Sequence, residues 1–267
     1  MYPPILYGPE SLPYDTYDAQ SPAPPNPGAG GAIAYLHEYP LGLQLVLADG
    51  RKFRFAAVGG STLVIGNQLT GPVNTSSQQN RSCSTAGAVG DRTAFVTTGA
   101  SSAVNTFAEG FLTVSVTPGA GQCYKLAGHP LMTSAADDPV YLAPGHALRA
   151  ATVVTTTKYD LILNPYKGVK QAPATTLTAP VVGVAITAQT TVKGCWIQTR
   201  GLASVLTAGT TYLPIAGTRT VTGGTTAGAA TAETAVAGTS KLEVTTGIAH
   251  YVAAAAAWST VLLTIDG

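Results

Sequence analysis

The run from Val181 to Leu206, VVGVAITAQTTVKGCWIQTRGLASVL, limits what this chain can fold into more than any other stretch. Val181, Val182, Val184 and Ile186 form one β-branched segment, and Val192 to Thr199 form another around Trp196 and Ile197. Arg200-Gly201 punctuates the run, and Leu202 to Leu206 reads as a short apolar strand beyond it. Short strands with mixed faces are stable only when another layer covers one face. The run therefore predicts a β-rich protein, and none of its residues is arranged for catalysis.

The same signals recur along the chain. Leu41, Leu43, Leu45 and Leu47 share one side of an alternating strand, Asp49-Gly50 marks a tight turn, and Lys52 to Val58 follows with Phe53 and Phe55 on one side. This is the strongest local hairpin. Ser61 to Leu69 reads as a strand, residues 72–92 as a long surface connection, and Thr93 to Thr97 as the next strand. Phe111 to Thr117 alternates, with Leu112, Val114 and Val116 on the buried side. Further strands are expected at Gln122 to Leu126, Val140 to Leu142, Ala147 to Thr157, Tyr159 to Leu163, Thr210 to Ile215, Leu242 to Thr245 and Thr260 to Ile265. The Ala/Thr/Gly-rich residues 219–240 supply little core volume and suit either a loop or closely pressed strands; Ile248 to Ala257 leaves helix and strand both open. A threonine-proline stretch suggests a boundary near residue 175. The expected class is all-β, with β-sandwich or β-barrel domains over residues 32–175 and 176–267.

Residues 1–31 have another character. Eight of the 18 prolines lie there, interleaved with tyrosines, and the segment ends in Pro-Gly-Ala-Gly-Gly. Proline at this density prevents a helix and removes ladder donors, so an extended arm is expected, disordered in the free chain. Tyr2, Ile5, Leu6, Tyr7, Leu12, Tyr14 and Tyr17 are its candidate anchors on a neighbouring subunit or partner, with Pro27 to Gly31 as hinge. An arm of that kind would add little to the stability of the globular part.

Charge narrows the function. Only 10% of residues are charged, against about 25% in an ordinary soluble domain, and the net charge is +1. There is no Lys/Arg stripe for nucleic acid and no apolar run of membrane-spanning length. A surface so poor in charge cannot rely on repulsion to stay monomeric, which favours burial against partners. The start has neither the basic region nor the apolar core of a signal peptide.

Candidate chemistry is sparse. Cys83, Cys123 and Cys195 are widely separated and read as buried free thiols; His37, His129, His146 and His250 sit at no metal-ligand spacing. Asp137-Asp138 is an adjacent pair whose side chains would diverge on a strand, and it reads as a polar turn before Pro139. His129-Pro130 and Gly145-His146 read as turns, and Ser134 and Ser204 lack the GxSxG setting. No catalytic residue, metal site or cofactor is expected. Trp196 and Trp258 are the rings able to hold a sugar, but a lone strand tryptophan belongs more often to a core.

Four phrases in order carry a resemblance: GHPLMTSAADDPVYL, YDLILNPYKGV, the Val181 to Leu206 run, and the closing VLLTIDG. They are similar to segments of the decoration (cement) proteins of tailed-bacteriophage heads, over roughly residues 105–267 and more weakly 40–72. Gly194, Trp196, Ile197, Gln198, Arg200 and Gly201 match the family's tryptophan motif, to which the family gives a structural role. The resemblance implies a β-sandwich or β-barrel protein, usually a homotrimer. It would be made in the host cytoplasm and placed on the outer surface of the virion capsid, where it stabilises major capsid protein capsomers. It implies no enzyme activity, no direct nucleic-acid contact and no membrane. A carbohydrate-binding surface module of the virion, or another head or tail structural protein, is the alternative. The major capsid fold itself needs a long spine helix and a charged arm, and neither is visible in the sequence.

Overall fold

Strand β13 (Gly194–Leu206) runs for 13 residues, and most of the first of two units hangs on it. The computed structural model describes residues 5–15, 17–18, 37–174, 177–190, 193–207, 217, 219–222, 227–232, 245–251 and 257–266. Arg200-Gly201 does not end the strand as expected. Gly201 takes a φ of +88°, and the pairing register shifts between Gln198 and Arg200. A bulged glycine lets a strand bend while its ladder continues. Before the bend β13 pairs with β3 (Lys52–Val58), and after it with β17 (Trp258–Thr264).

A small closed barrel forms around the first half of β13. β3 pairs with β11 (Lys167–Gln171), β11 with β4 (Gln68–Thr70), β4 with β12 (Val181–Ala185), β12 with β13, and β13 back with β3. Closure removes the free edges that an open sheet would leave. Ala56, Val58, Leu69, Val169, Val182, Cys195 and Ile197 come from all five strands and make one buried cluster with Leu63. The β-branched spacing of the Val181 to Leu206 run supplies much of that interior. β2 (Gln44–Val46) extends the sheet beside β3, and β16 (Thr245–Tyr251), β14 (Arg219–Thr222) and β15 (Ala230–Ala232) extend it beyond β17. Part of the Ala/Thr/Gly-rich segment is thus strand. The hairpin at Asp49-Gly50 is present, with Gln44 opposite Arg54 and Val46 opposite Lys52. Ser61 to Leu69 is strand only at its end, whereas β11, unexpected from the sequence, closes the barrel. The strands expected at Thr210 to Ile215 and Leu242 to Val244 lie outside the described residues.

The N-terminal segment is not a free arm over residues 5–18. β1 (Ile5–Tyr7) pairs in parallel with β2 of the same chain, and Tyr17 is 6% exposed. Its ring meets Phe55 edge-on at 5.3 Å and Tyr39 at 5.4 Å, while Trp196 packs against Phe55 at 5.2 Å. Trp196 Nε1 donates to the Tyr17 hydroxyl at 3.3 Å, and that hydroxyl donates to the Leu12 carbonyl at 3.2 Å. Burial pushes the Tyr17 phenol up to about 12, against the opposing Trp196 hydrogen bond. Leu6 and Leu12 lean on the same cluster with Leu41, Leu43, Leu45 and Leu47. The physical reason is area: the outer face of β3 and β13 carries Phe53, Phe55 and Trp196, and Tyr17, with Leu6 and Leu12, covers it.

The expected boundary near residue 175 does not follow the compact units. The first unit takes residues from the N-terminal segment, from His37–Pro72 and from Pro165 onward, and the second includes Val73–Asn164. Lys170 of β11 lies opposite Thr70 of β4, so strands on either side of the second unit in sequence pair directly within the first. Strand pairing, not the threonine-proline stretch, decides the division.

The second unit is a six-stranded sheet in the order β5 (Arg81–Ser82), β10 (Lys158–Ile162), β7 (Phe111–Val116), β8 (Cys123–Gly128), β9 (Asp137–Leu142), β6 (Thr93–Thr97). A bridge from Cys83 to Val96 joins the chain after β5 to β6, so the sheet curls back on itself. Leu112, Val114, Leu126, Val140, Tyr159 and Leu161 point inward with Cys83, which places part of the expected surface connection in the core. Asp137-Asp138 is strand and not a turn: Asp138 is buried and accepts from the Thr98 hydroxyl at 2.7 Å, whereas Asp137 is exposed and accepts from Thr85. Ala147 to Thr157 is not a strand. Its backbone is held instead by bonds such as Val153 N–H to the Thr157 hydroxyl, with Thr155 at a φ of +62°. His129 is buried, its Nε2 accepting from the Phe107 N–H at 2.9 Å, which leaves Nδ1–H to donate to the Pro130 carbonyl.

Tyr17→Ala and Trp196→Ala should each destabilise the first unit by about 3–5 kcal/mol in urea unfolding, as deletion of a buried large aromatic does. Tyr17→Phe keeps the ring and loses only the hydroxyl, so it should cost about 1 kcal/mol. An unfolding midpoint for Tyr17→Ala equal to that of the parent would show the N-terminal segment to be dispensable.

Candidate functional site

The bend at Gly201 turns the second half of β13 into one strand of a sheet that is apolar on its inner face and carries a few apolar side chains outward. Ala203, Val205, Val261 and Leu263 are buried in one cluster with Val184 and Ala230. On the opposite face Leu202 stands across from Leu262, and Leu262 across from Ile248, giving a row over three adjacent strands. These side chains are 49%, 42% and 42% exposed. Trp258, opposite Leu206, is 53% exposed, and its Nε1 donates to the Ile65 carbonyl at 3.4 Å beside exposed Ile65 and Val64. Trp258 therefore belongs to a surface and not, as expected, to a core. Contiguous exposed apolar side chains in a soluble protein mark contact surfaces, and covering each half-exposed Leu or Ile would contribute about 1 kcal/mol.

The residues of the tryptophan motif build the bend behind this face. Gly194 is required by packing, because a Cβ there would lie 2.5 Å from Phe55 Cζ. Trp196 faces the aromatic cluster and Ile197 the barrel interior, as alternation dictates. Gln198 is buried and its amide donates to the Arg200 carbonyl at 3.1 Å and the Leu202 carbonyl at 2.8 Å, bracing the chain across Gly201. Arg200 is exposed beside the row.

β17 is clamped at its far end by Asp266. Arg54 donates from Nε and Nη2 to the two carboxylate oxygens at 2.8 and 2.9 Å, and the Gln44 amide and Thr199 hydroxyl add bonds at 3.2 and 3.4 Å. Burial alone would push the Asp266 carboxyl up; the hydrogen bond and charge of Arg54, with Lys52 and Gln44, outweigh it and hold it below its usual 3.8.

Of the N-terminal anchors, Ile5, Tyr7 and Tyr14 are exposed, Leu6 and Leu12 are half-buried, Tyr17 is buried, and Tyr2 lies outside the described residues. The first-unit apolar row was not identified from the sequence. The signal for it was present: Leu202 and Leu262 lie out of phase with Ala203, Val205, Val261 and Leu263, so each strand carries an apolar side chain on the face opposite its buried one.

Among the described residues, no group of three or more His, Cys, Asp or Glu side chains could hold a metal ion, and no helix is long and apolar enough to cross a membrane. Cys83 and Cys195 are buried free thiols, the latter pushed up to about 12 by burial; Cys123 is exposed, against expectation. The chain matches no protein-family model, no curated protein and no solved structure.

Asp266→Asn should lower stability at neutral pH by about 1.5–3 kcal/mol, the range for hydrogen bonds to a charged partner. The folded-state pKa is depressed, so the stabilising contribution is present above the ordinary value of 3.8 and is lost as pH falls through the lower folded value. The gap between parent and variant in thermal unfolding should therefore close in that acid range.

Proposed function

We propose that this protein is a virion structural protein that binds the outside of an icosahedral phage head and stabilises contacts between major capsid protein capsomers, acting as a homotrimer. The observation that carries this reading is the Leu202, Leu262 and Ile248 row on a rigid all-β scaffold, in a chain with only 10% charged residues. The resemblance of its phrases to decoration proteins supplies the partner. A capsid-binding protein needs a preformed surface and no reaction centre, and an outward apolar sheet face meets that need by burying area without reorganising its own fold. Exposed Ile5, Tyr7 and Tyr14 offer further anchors for a neighbouring subunit.

Co-sedimentation with purified expanded empty heads tests the capsid contact, and analytical ultracentrifugation of the free protein tests the trimer. Leu262→Lys and Ile248→Lys replace outward side chains, so thermal unfolding should shift little. Affinity for the heads should fall at least tenfold, about 1.4 kcal/mol. A parent protein that stays in the supernatant at micromolar concentration would overturn the capsid reading, and a monomer at that concentration would count against the trimer.

A further inference from the structure

The second unit carries a groove that the capsid reading does not use. Register creates it: Thr93 of β6 stands opposite Tyr141 of β9, and Phe95 opposite Pro139, so the four side chains share the outward face while Ala94, Val96, Asp138 and Val140 point inward. Asp91 and Arg92, entering β6, rise at one end and complete an open groove of about 480 Å³. That volume lies within the range of sites for small organic ligands.

We propose that this groove binds a short neutral saccharide. Its floor is formed by Phe95, Pro139 and Tyr141, flat apolar surfaces of the kind against which the C–H face of a pyranose ring packs. Around them stand hydrogen-bonding groups without partners. The Arg92 guanidinium and the Thr93 and Tyr141 hydroxyls make no hydrogen bond among the described residues, and Asp91 uses only Oδ2, which accepts from the Ala88 N–H at 2.7 Å. One cation, one anion and two hydroxyls can serve both the donors and the acceptors of sugar hydroxyls, with no net charge to select an ionic ligand.

The backbone argues against a peptide. Extended peptides add to a sheet edge through main-chain hydrogen bonds. Here the Phe95 carbonyl accepts from Ser84 N–H at 3.2 Å, the Arg92 carbonyl from Leu142 N–H and the Asp91 carbonyl from Leu148 N–H, both at 2.8 Å. β6 pairs with β9 on one edge and is bridged by Cys83 on the other. Recognition is left to side chains. The groove is also preformed, since the approach to β6 is tied by Gly87 N–H to the Thr152 hydroxyl and Gly90 N–H to the Leu148 carbonyl, both at 2.8 Å. The ordering cost on binding then falls on the free Arg92 side chain and not on the backbone.

The intact protein would be screened on a glycan array, and cellobiose, maltose, lactose and N,N′-diacetylchitobiose titrated by saturation-transfer NMR. At least one saccharide should bind with a dissociation constant of about 1 mM or tighter. Tyr141→Ala and Arg92→Ala should each weaken it at least tenfold. Tyr141→Phe, which retains the ring, should weaken it less, and Trp258→Ala on the first unit should leave it unchanged. Arg92 is exposed and unpartnered, so Arg92→Ala tests the groove without threatening the fold. No binding on the array or in any of the four titrations, binding that persists in both Tyr141→Ala and Arg92→Ala, or a groove that takes peptides in place of sugars would overturn the proposal. None of these outcomes depends on capsid binding, which is read on the first unit.

Discussion

The pairing of β3 with β13 is the constraint on which the first unit depends. It closes the five-stranded barrel, and it joins residues 52–57 to residues 194–200 across most of the chain. It commits the side chains of β3 and of the first half of β13. One set fills the barrel with Ala56, Val58, Cys195 and Ile197, and the other presents Phe53, Phe55 and Trp196 outward to a second layer. Two such apolar faces cannot both be left to solvent, so the aromatic face fixes the place of the N-terminal segment as well. Gly194 and Gly201 mark the two points at which the strand has no room for a larger residue: one under Phe55, the other at the bend against Arg51.

That bend links the barrel to the exposed apolar row. Beyond Gly201 the same strand leaves the barrel and joins β17 and β16, where only one apolar face is covered. Gln198 braces the bend from within, and the Arg54–Asp266 clamp holds the end of β17 to the hairpin of β2 and β3. The exposed row of Leu202, Leu262 and Ile248 is therefore carried on a sheet anchored at the bend of β13 and at the Asp266 end of β17. A surface held in this way can bind without losing much freedom of its own, as the proposed attachment to a capsid requires.

The second unit solves the same problem with different materials. Six strands curl around Leu112, Val114, Leu126, Tyr159 and Leu161, and buried Asp138 and His129 are held by the Thr98 hydroxyl and the Phe107 N–H. Its outward face at β6 and β9 is the reverse case, with side-chain donors and acceptors left open around an apolar floor. Buried polar groups with partners help to specify the fold, whereas the exposed ones around this groove are solvated and open to the proposed ligand.

The sequence by itself determined the all-β class, the hairpin at Asp49-Gly50, the leucine face of Leu41 to Leu47, the strand positions of β6, β7, β12 and β13, and the buried side of β7 at Leu112 and Val114 but not at Val116, which is exposed. Each of those signals is local: a two-residue period, a turn dipeptide, a β-branched run. Local patterns also placed Trp196 in a core, but they gave Trp258 the same place, because a ring on a strand looks alike whether or not a second layer covers it. Only the tertiary structure decided which strands close the barrel, that Lys167–Gln171 is one of them, and that Ala147 to Thr157 is not a strand. It alone divided the chain at Pro72 and Pro165, and it alone made Tyr17 a core residue. The physical reason is common to all of these. They depend on which faces meet across long separations in sequence, and pairing of that kind leaves no mark in the spacing of neighbouring residues.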